Sequence, residues 1–340
     1  MIKTIFFDTK DYEIDYFNKT LGNICDNRFI NSAIQTYSLT EDITEDVEIL
    51  SVFTTSRLDK NIIKKFPKLK LIATRSTGFS HIDIEFCKSI NIPVVNVKHY
   101  GDCTIAEFAF GLLLNVSRKI QKANSDLKNG IIKTEHYIGN DFFEKTIGII
   151  GTGSIGSHAV RIANGFGMNI IAYDIYPNQE LVDQYRVKYV SLDELCKNSD
   201  YITIHAPATK ENCHMINAKS FEIMKTSVII ANTARGEIID TEALYFALKN
   251  GKVKAAGLDV LECEELFEND KIDCINPDCL KRTLINHKIL DLPNVIVTPH
   301  IAFDSHEAVK RIMEKTAQNI EKFVLQNETF NRVNQTAIQL

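Results

Sequence analysis

Thr146-Ile147-Gly148-Ile149-Ile150-Gly151-Thr152-Gly153-Ser154-Ile155-Gly156 decides the fold. A short apolar run of strand character ends in Gly151-x-Gly153-x-x-Gly156, and Ile155 to Phe166 then carries helical spacing. Each glycine has a physical reason to be there. The first makes a tight turn, the second lets backbone approach a pyrophosphate, and the third lets helix and strand pack closely. The helix N-terminus then faces the phosphate charge. Such a motif alone is a weak signal; between a strand and a helix it points to a bound dinucleotide. The next predicted strand, Asn169–Tyr173, runs into Asp174, roughly 20 residues beyond the motif. A carboxylate there accepts hydrogen bonds from the adenosine ribose and repels a 2′-phosphate, and Ile175-Tyr176 offers no Arg to hold one. The stretch therefore predicts NAD rather than NADP.

The same alternation continues on both sides. Downstream, strands are predicted at Tyr201–Ala206, Ser227–Asn232, Ala255–Val260 and Val295–Pro299, with helical spacing at Lys219–Met224 and Thr241–Asn250 and a stop at Gly251. Upstream, Ile5-Phe6-Phe7, Val47–Phe53, Leu69–Ala73 and Pro93–Val97 alternate with helical segments such as Lys60–Lys65 and Ile82–Ile90. Buried parallel strands joined by helices read this way, so the fold class is α/β with doubly wound parallel sheets. Between the two series, Ile105, Phe108, Ala109, Leu112, Leu113 and Val116 predict one long buried helix over Asp102–Lys128. Ser305 to Gln326 reads as a final helix capped by Ser305, with Ala308, Ile312, Ala317, Ile320 and Val324 on its apolar face.

Composition bounds the rest. A chain of 340 residues suggests two domains at roughly 100–200 residues each. A formal charge of −5 leaves no basic stripe of the kind nucleic acid requires. No stretch approaches the 18 apolar residues of a membrane span, and the run after Met1 is too short for a signal segment. The eight cysteines are scattered without a C-x-x-C pair, which predicts reduced thiols in a cytoplasmic protein. No metal site is expected.

Three later segments carry chemistry. Ile230-Ala231-Asn232-Thr233-Ala234-Arg235-Gly236 places Arg235 at the carboxyl end of a strand, where α/β sheets hold their ligands. Gly257-Leu258-Asp259-Val260 leads to Glu264, and Val297-Thr298-Pro299 leads to His300. Hydride transfer to a keto acid needs these groups. Arg holds a carboxylate through charge-assisted, paired hydrogen bonds. The carbonyl oxygen needs a proton donor as hydride arrives, and His titrates near neutral pH. A neighbouring carboxylate keeps that imidazole charged.

These segments resemble the signatures of the D-isomer-specific 2-hydroxyacid dehydrogenases, in order and over nearly the whole chain. The likeness is greatest to the family's D-lactate dehydrogenase branch. Arg75-Ser76-Thr77-Gly78-Phe79-Ser80-His81-Ile82-Asp83 resembles that branch's substrate-carboxylate loop, and Ile105-Ala106-Glu107 the start of its interdomain helix. The resemblance implies two Rossmann-like or flavodoxin-like domains: a discontinuous substrate domain, 1–101 plus 303–340, and an NAD domain, 102–302. It implies an active site in the cleft between them and a homodimer formed through the NAD domain. Arg235, Glu264 and His300 would be catalytic, with Thr77 and Gly78 amides on the carboxylate. Tyr100, Phe79 and Phe303 would wall the substrate pocket. Gly151, Gly153, Ser154, Ile155, Gly156, Asp174, Ala206, Pro207, Asn212, Thr233, Ala234 and Asp259 would line the NAD site.

Two features depart from that pattern or complicate it. The segment between Glu264 and His300 is long and polar, an insert that the branch also carries. Asp304 stands where the branch commonly has an aromatic residue. The expected reaction is reduction of pyruvate to D-lactate with NADH. Bulkier keto acids, giving 2-hydroxyisocaproate or phenyllactate, and hydroxypyruvate or glyoxylate are the alternatives within the class. An NAD-sensing binding protein of the co-repressor type is the alternative outside it, and turnover separates the two.

Overall fold

The computed structural model describes residues 1–132, 134–264 and 277–334. The chain forms two compact units, Met1–Tyr100 with Ser305–Leu340, and Gly101–Asp304. The crossings therefore fall at Tyr100–Gly101 and Asp304–Ser305, where the sequence had placed them at 101–102 and 302–303.

In the first unit, strands β1 (Ile2–Phe6), β2 (Cys25–Phe29), β3 (Ile49–Val52), β4 (Leu71–Thr74) and β5 (Val94–Val95) run parallel in the order β2-β1-β3-β4-β5. This is the flavodoxin-like order, whose direction reverses between β1 and β3. β3 and β4 are buried along their whole length, which is why they read as unbroken apolar runs. β2 gave no such signal: Cys25-Asp26-Asn27-Arg28-Phe29 is an edge strand with polar residues at its centre. The helix His306–Gln326 closes this unit. Ser305 caps it by accepting a hydrogen bond from Ala308 N at 3.1 Å. Its buried Ala308, Ile312, Ala317 and Ile320 pack toward the helix Asp11–Leu21 and β4. Each fully buried Ile or Leu in such a core contributes about 1.5–3 kcal/mol.

In the second unit, β6 (Thr146–Ile150), β7 (Asn169–Tyr173), β8 (Lys188–Tyr189), β9 (Tyr201–Ile204), β10 (Ile229–Asn232), β11 (Ala255–Leu258) and β12 (Val295–Val297) are also all parallel. Their order is β12-β11-β10-β9-β6-β7-β8. With β6 as the first strand this is the dinucleotide-binding order extended by one strand. Its direction reverses between β6 and β9, where such folds bind their ligand.

Two sequence expectations need correction. Asp102–Lys128 is two helices, Asp102–Arg118 and Ile120–Lys128, parted by Lys119 in the left-handed region at φ 54°. The first buries Ala106, Ala109, Phe110, Leu112, Leu113 and Val116 and packs on the helix Ser154–Gly165, β10 and β11; the second buries nothing. The apolar spacing continues through Ile120 and Leu127, but both are exposed, so no core holds the axis straight beyond Val116. Second, the thiols are not all reduced. The polar insert, whose structure the sequence leaves open, contains a helix, Pro277–Leu290; its residues 265–276 lie outside those described. That helix returns Cys279 to the exit of β11, where it forms a disulfide with Cys263. Sequence spacing could not show this because the approach depends on the helix. No described helix is long and apolar enough to cross a membrane.

Candidate active site

The turn after β6 is built for close approach. Gly151 adopts φ +87°, and a Cβ there would lie 2.6 Å from Ala206 N at the exit of β9. A Cβ on Gly156 would lie 1.9 Å from Gly151 O, so only glycine lets the helix start this near the strand. Above Gly153 a Cβ would meet nothing within 4 Å, leaving open space in front of the helix N-terminus. Two buried polar atoms at neighbouring strand ends have no protein partner, Thr233 Oγ1 and His205 Nδ1. A cradle with room at a helix N-terminus and polar atoms awaiting a partner fits a dinucleotide. Ser154, Ile155 and Ala206 border it, and Ala234 N is held by Asn232 Oδ1 at 3.0 Å. Asn212 is committed to its own loop, accepting from Thr209 N and donating to Pro207 O at 2.6 Å. Asp174, at the end of β7, accepts hydrogen bonds from Thr152 and from Tyr176 N.

The catalytic candidates meet at the carboxyl ends of β10, β11 and β12. His300 Nδ1 lies 2.7 Å from Glu264 Oε1, and Glu264 Oε2 accepts from Leu261 N at 3.2 Å. An ionised carboxylate only accepts, so Nδ1 carries a hydrogen and Nε2 is the ring position left for proton transfer. Burial alone would lower the His300 pKa, but the hydrogen bond and charge of Glu264 more than reverse that, and the net direction is upward. The Arg235 charge acts on the same ring in the opposite sense, which puts the guanidinium near it. Arg235 itself is exposed and donates to Ala234 O at 2.6 Å. His300 and Cys263 both have φ near +55°. Such backbone costs about 1–3 kcal/mol in a non-glycine residue and tends to gather at working sites.

Two carboxylates that flank this pair have other tasks. Asp259, expected to line the NAD site, accepts from Thr298 Oγ1 at 2.5 Å, Ile301 N at 2.9 Å and Ala302 N at 2.8 Å. It clamps the loop that carries His300. Burial pushes its pKa up, and those hydrogen bonds pull the other way. Glu262 was not singled out in the sequence, yet it is buried and meets His214 Nε2 at 2.7 Å, Thr241 N at 3.1 Å and Thr241 Oγ1 at 2.5 Å. Asn286 donates to its carbonyl at 2.8 Å. Glu262 thereby fixes the segment that ends in Glu264. Its position two residues before Glu264 was the only available signal. Among the described residues no His, Cys, Asp and Glu side chains gather as a metal site.

The first unit contributes its own turn. Thr77 and Gly78 follow β4, with Thr77 O accepting from Asn96 Nδ2 at 2.8 Å and Gly78 O from Ser76 Oγ at 2.6 Å. Thr77 Oγ1 donates to Val97 O at 2.7 Å. These bonds face the carbonyls inward. Arg75 is 1% exposed, with Nε 3.2 Å from Glu13 Oε1 and Nη2 2.6 Å from Phe7 O, so it ties β4 to β1 and the first helix. Phe79 is 38% exposed and Tyr100 is partly exposed; its carbonyl accepts from Arg311 Nε at 2.5 Å. Phe303 belongs to the second unit, where its Cβ lies near Gly101.

The chain is similar to known proteins in sequence and fold. Residues 110–302 match the model of the D-isomer specific 2-hydroxyacid dehydrogenase NAD-binding domain. The chain is 33% identical to D-lactate dehydrogenase of Escherichia coli over 94% of its length and 96% of that protein's. It is 39% identical to an aromatic 2-oxoacid reductase of Clostridium sporogenes over 78% of each. A crystal structure of D-lactate dehydrogenase from Aquifex aeolicus, complexed with NAD and lactic acid, superposes with a TM-score of 0.84 at 32% identity. It covers 98% of this chain and 100% of that one. The chain therefore belongs to the D-isomer specific 2-hydroxyacid dehydrogenases, NAD-dependent oxidoreductases that act on the CH–OH group of 2-hydroxy acids.

Proposed function

We propose that this protein is a D-lactate dehydrogenase that reduces pyruvate to D-lactate. The observation that carries the reaction is the hydrogen bond of 2.7 Å between His300 Nδ1 and Glu264, beside Arg235. The likeness to D-lactate dehydrogenases over almost the full length supports pyruvate as substrate.

The residues divide the work as follows. The Gly151–Gly156 turn would hold NADH, with Asp174 accepting from the adenosine ribose, and the bound nicotinamide would supply the hydride. Arg235 pairs with the substrate carboxylate through its planar fork and orients the carbonyl. The Thr77 and Gly78 amides supply further donors for that carboxylate. As negative charge develops on the carbonyl oxygen, His300 Nε2 delivers its proton. Glu264 stabilises the imidazolium before transfer and holds the ring so that Nε2 is presented. Tyr100, Phe79 and Phe303 bound the substrate side chain.

A second reading, reduction of bulkier 2-keto acids, is favoured by one feature. A cavity of about 220 Å³ beside Glu264 and His300 is lined mainly by Leu261, Leu290, Val297 and Pro299. The similarity to an aromatic 2-oxoacid reductase points the same way. Self-association through the second unit is supported by its exposed Ile120, Leu127, Ile132, Ile138 and Phe143.

The deciding experiment follows NADH oxidation with pyruvate and with phenylpyruvate and resolves the product on a chiral column. Rapid formation of D-lactate supports the proposal. A much higher kcat/KM for phenylpyruvate selects the second reading. Tight NADH binding without turnover of any keto acid rejects both and favours a sensor.

A further inference from the structure

Beneath the cofactor cradle lies a hydrogen-bond chain that the reaction scheme leaves unused. Tyr189 on the edge strand β8 sits in register with Ala172 of β7, two residues before Asp174. Its hydroxyl accepts from Asn178 N at 3.0 Å and donates to Thr152 Oγ1 at 2.8 Å. Thr152 is the x of the Gly151-x-Gly153 turn and is 3% exposed. With its oxygen occupied by the Tyr189 hydrogen, its own hydroxyl hydrogen is directed to Asp174 Oδ2 at 3.1 Å. The Thr152 N–H meets the same oxygen at 2.6 Å, and Tyr176 N meets Oδ1 at 2.8 Å.

We infer that Tyr189 and Thr152 are positioning residues that set the preference for NAD over its 2′-phosphorylated form. The inference rests on the reading of Asp174 as the ribose-binding residue. A carboxylate offers about four lone-pair directions. Three protein donors already point at Asp174, so its plane is fixed and one direction remains for a ribose hydroxyl. Two of the three donors come from Thr152, and the hydroxyl donor has its direction because Tyr189 holds the other side of that oxygen. A fixed carboxylate receives a ribose hydroxyl without losing side-chain freedom on binding. The same fixity prevents it from turning away from a 2′-phosphate, so the like-charge repulsion is kept in full. Loosening the chain therefore weakens NADH while sparing or improving NADPH.

The test is equilibrium titration of NADH and NADPH by fluorescence, without keto acid, on the wild type, Tyr189→Phe, Thr152→Val, Thr152→Ser and Asp174→Ala. Tyr189→Phe should raise the Kd for NADH about five-fold, the scale of one net hydrogen bond, with the NADPH value unchanged or lower. Thr152→Val should lower the NADH-to-NADPH selectivity further, and Thr152→Ser should restore most of it. A change in selectivity for Asp174→Ala but for neither Tyr189→Phe nor Thr152→Val overturns the chain and leaves the ribose reading intact. Unchanged selectivity in Asp174→Ala overturns the ribose reading and the chain with it. Equal weakening of both cofactors in Tyr189→Phe assigns the tyrosine to packing alone and also overturns the proposal. Thermal melts of each variant identify any that fail to fold; if Thr152→Val does, the comparison rests on Tyr189→Phe, which removes one hydroxyl and keeps the ring.

Discussion

Replacing Glu264 with Gln removes the charge that keeps His300 protonated while keeping nearly the same shape. The pair is 2.7 Å apart, and the two side chains are 43% and 32% exposed, so solvent screens them substantially. Two unit charges at that distance attract by about 1.5 kcal/mol in water-like surroundings, and the deep-interior value is out of place here. That energy corresponds to about a tenfold change in an equilibrium or rate. Because the folded-state pKa of His300 is raised, its proton is present below that value and lost as pH rises through it. Keto-acid reduction needs the imidazolium, so its rate should fall on the alkaline side. Glu264→Gln should move this fall to lower pH and cut kcat about tenfold above the shifted midpoint, with most of the rate recovered in acid. The assay is kcat for pyruvate reduction across pH 5.5–9.5, with NADH affinity measured alongside. A loss of the same factor at every pH, or an unmoved alkaline limb, would refute the pairing as the source of the proton's retention.

Other perturbations test neighbouring links. Arg235→Lys replaces a planar fork with a point charge and should raise KM for the keto acid at least tenfold while leaving the NADH Kd alone; unchanged KM would remove Arg235 from the substrate. A Cβ on Gly236 would lie 2.1 Å from Leu261 C and 2.3 Å from Glu262 N, both backbone atoms. Gly236→Ala should therefore cost about 1–3 kcal/mol in urea unfolding and depress kcat by shifting the Arg235 and Glu264 segments apart. Burial pushes His81 and His205 down to about 4 from an ordinary 6.5. The unfolded chain binds those protons first, so stability should decline as pH falls from about 6.5 to about 4, and His205→Gln should flatten that limb of a urea-midpoint profile. Thiol titration of the denatured protein should find two fewer thiols before reduction than after, the pair being Cys263 and Cys279.

Much of this was legible in the sequence because the informative residues lie where backbone geometry and chemistry coincide. The glycines at 151, 153 and 156 are read from spacing alone, since the turn they make is local. Buried central strands such as β3 and β9 announce themselves as unbroken apolar runs. Edge strands do so only when they keep an apolar run: β5 and β12 were legible, whereas β2 has a polar centre and β8 is Lys188-Tyr189, so neither of these carries a local signal. The break at Lys119 was missed for a different reason. Helical spacing persists by composition past the point where there is a core to pack against, and only the tertiary structure shows that the second helix has none. The disulfide was hidden because two cysteines 16 residues apart become neighbours only when a helix turns one back.

The exit of β11 shows most clearly what sequence leaves open. Asp259, Glu262 and Glu264 are three carboxylates within six residues, and residue type alone does not say which of them serves the histidine. Environment separates them. Asp259 has both oxygens taken by the backbone and hydroxyl donors of 298–302, so it shapes the loop and is not available to the ring. Glu262 is sealed inside a network with His214, Thr241 and Arg282, so both its oxygens are engaged where they stand. Glu264 alone keeps an oxygen turned to His300 Nδ1 and enough exposure for the pair to exchange protons with its surroundings. The two structural carboxylates make the third effective: one holds the loop that ends at His300, the other the segment that ends at Glu264. An exchange of roles is therefore excluded on geometric grounds. Asp259→Asn should disorder the His300 loop and lower both stability and kcat. It should leave the alkaline limb of the surviving activity nearer its wild-type position than Glu264→Gln does.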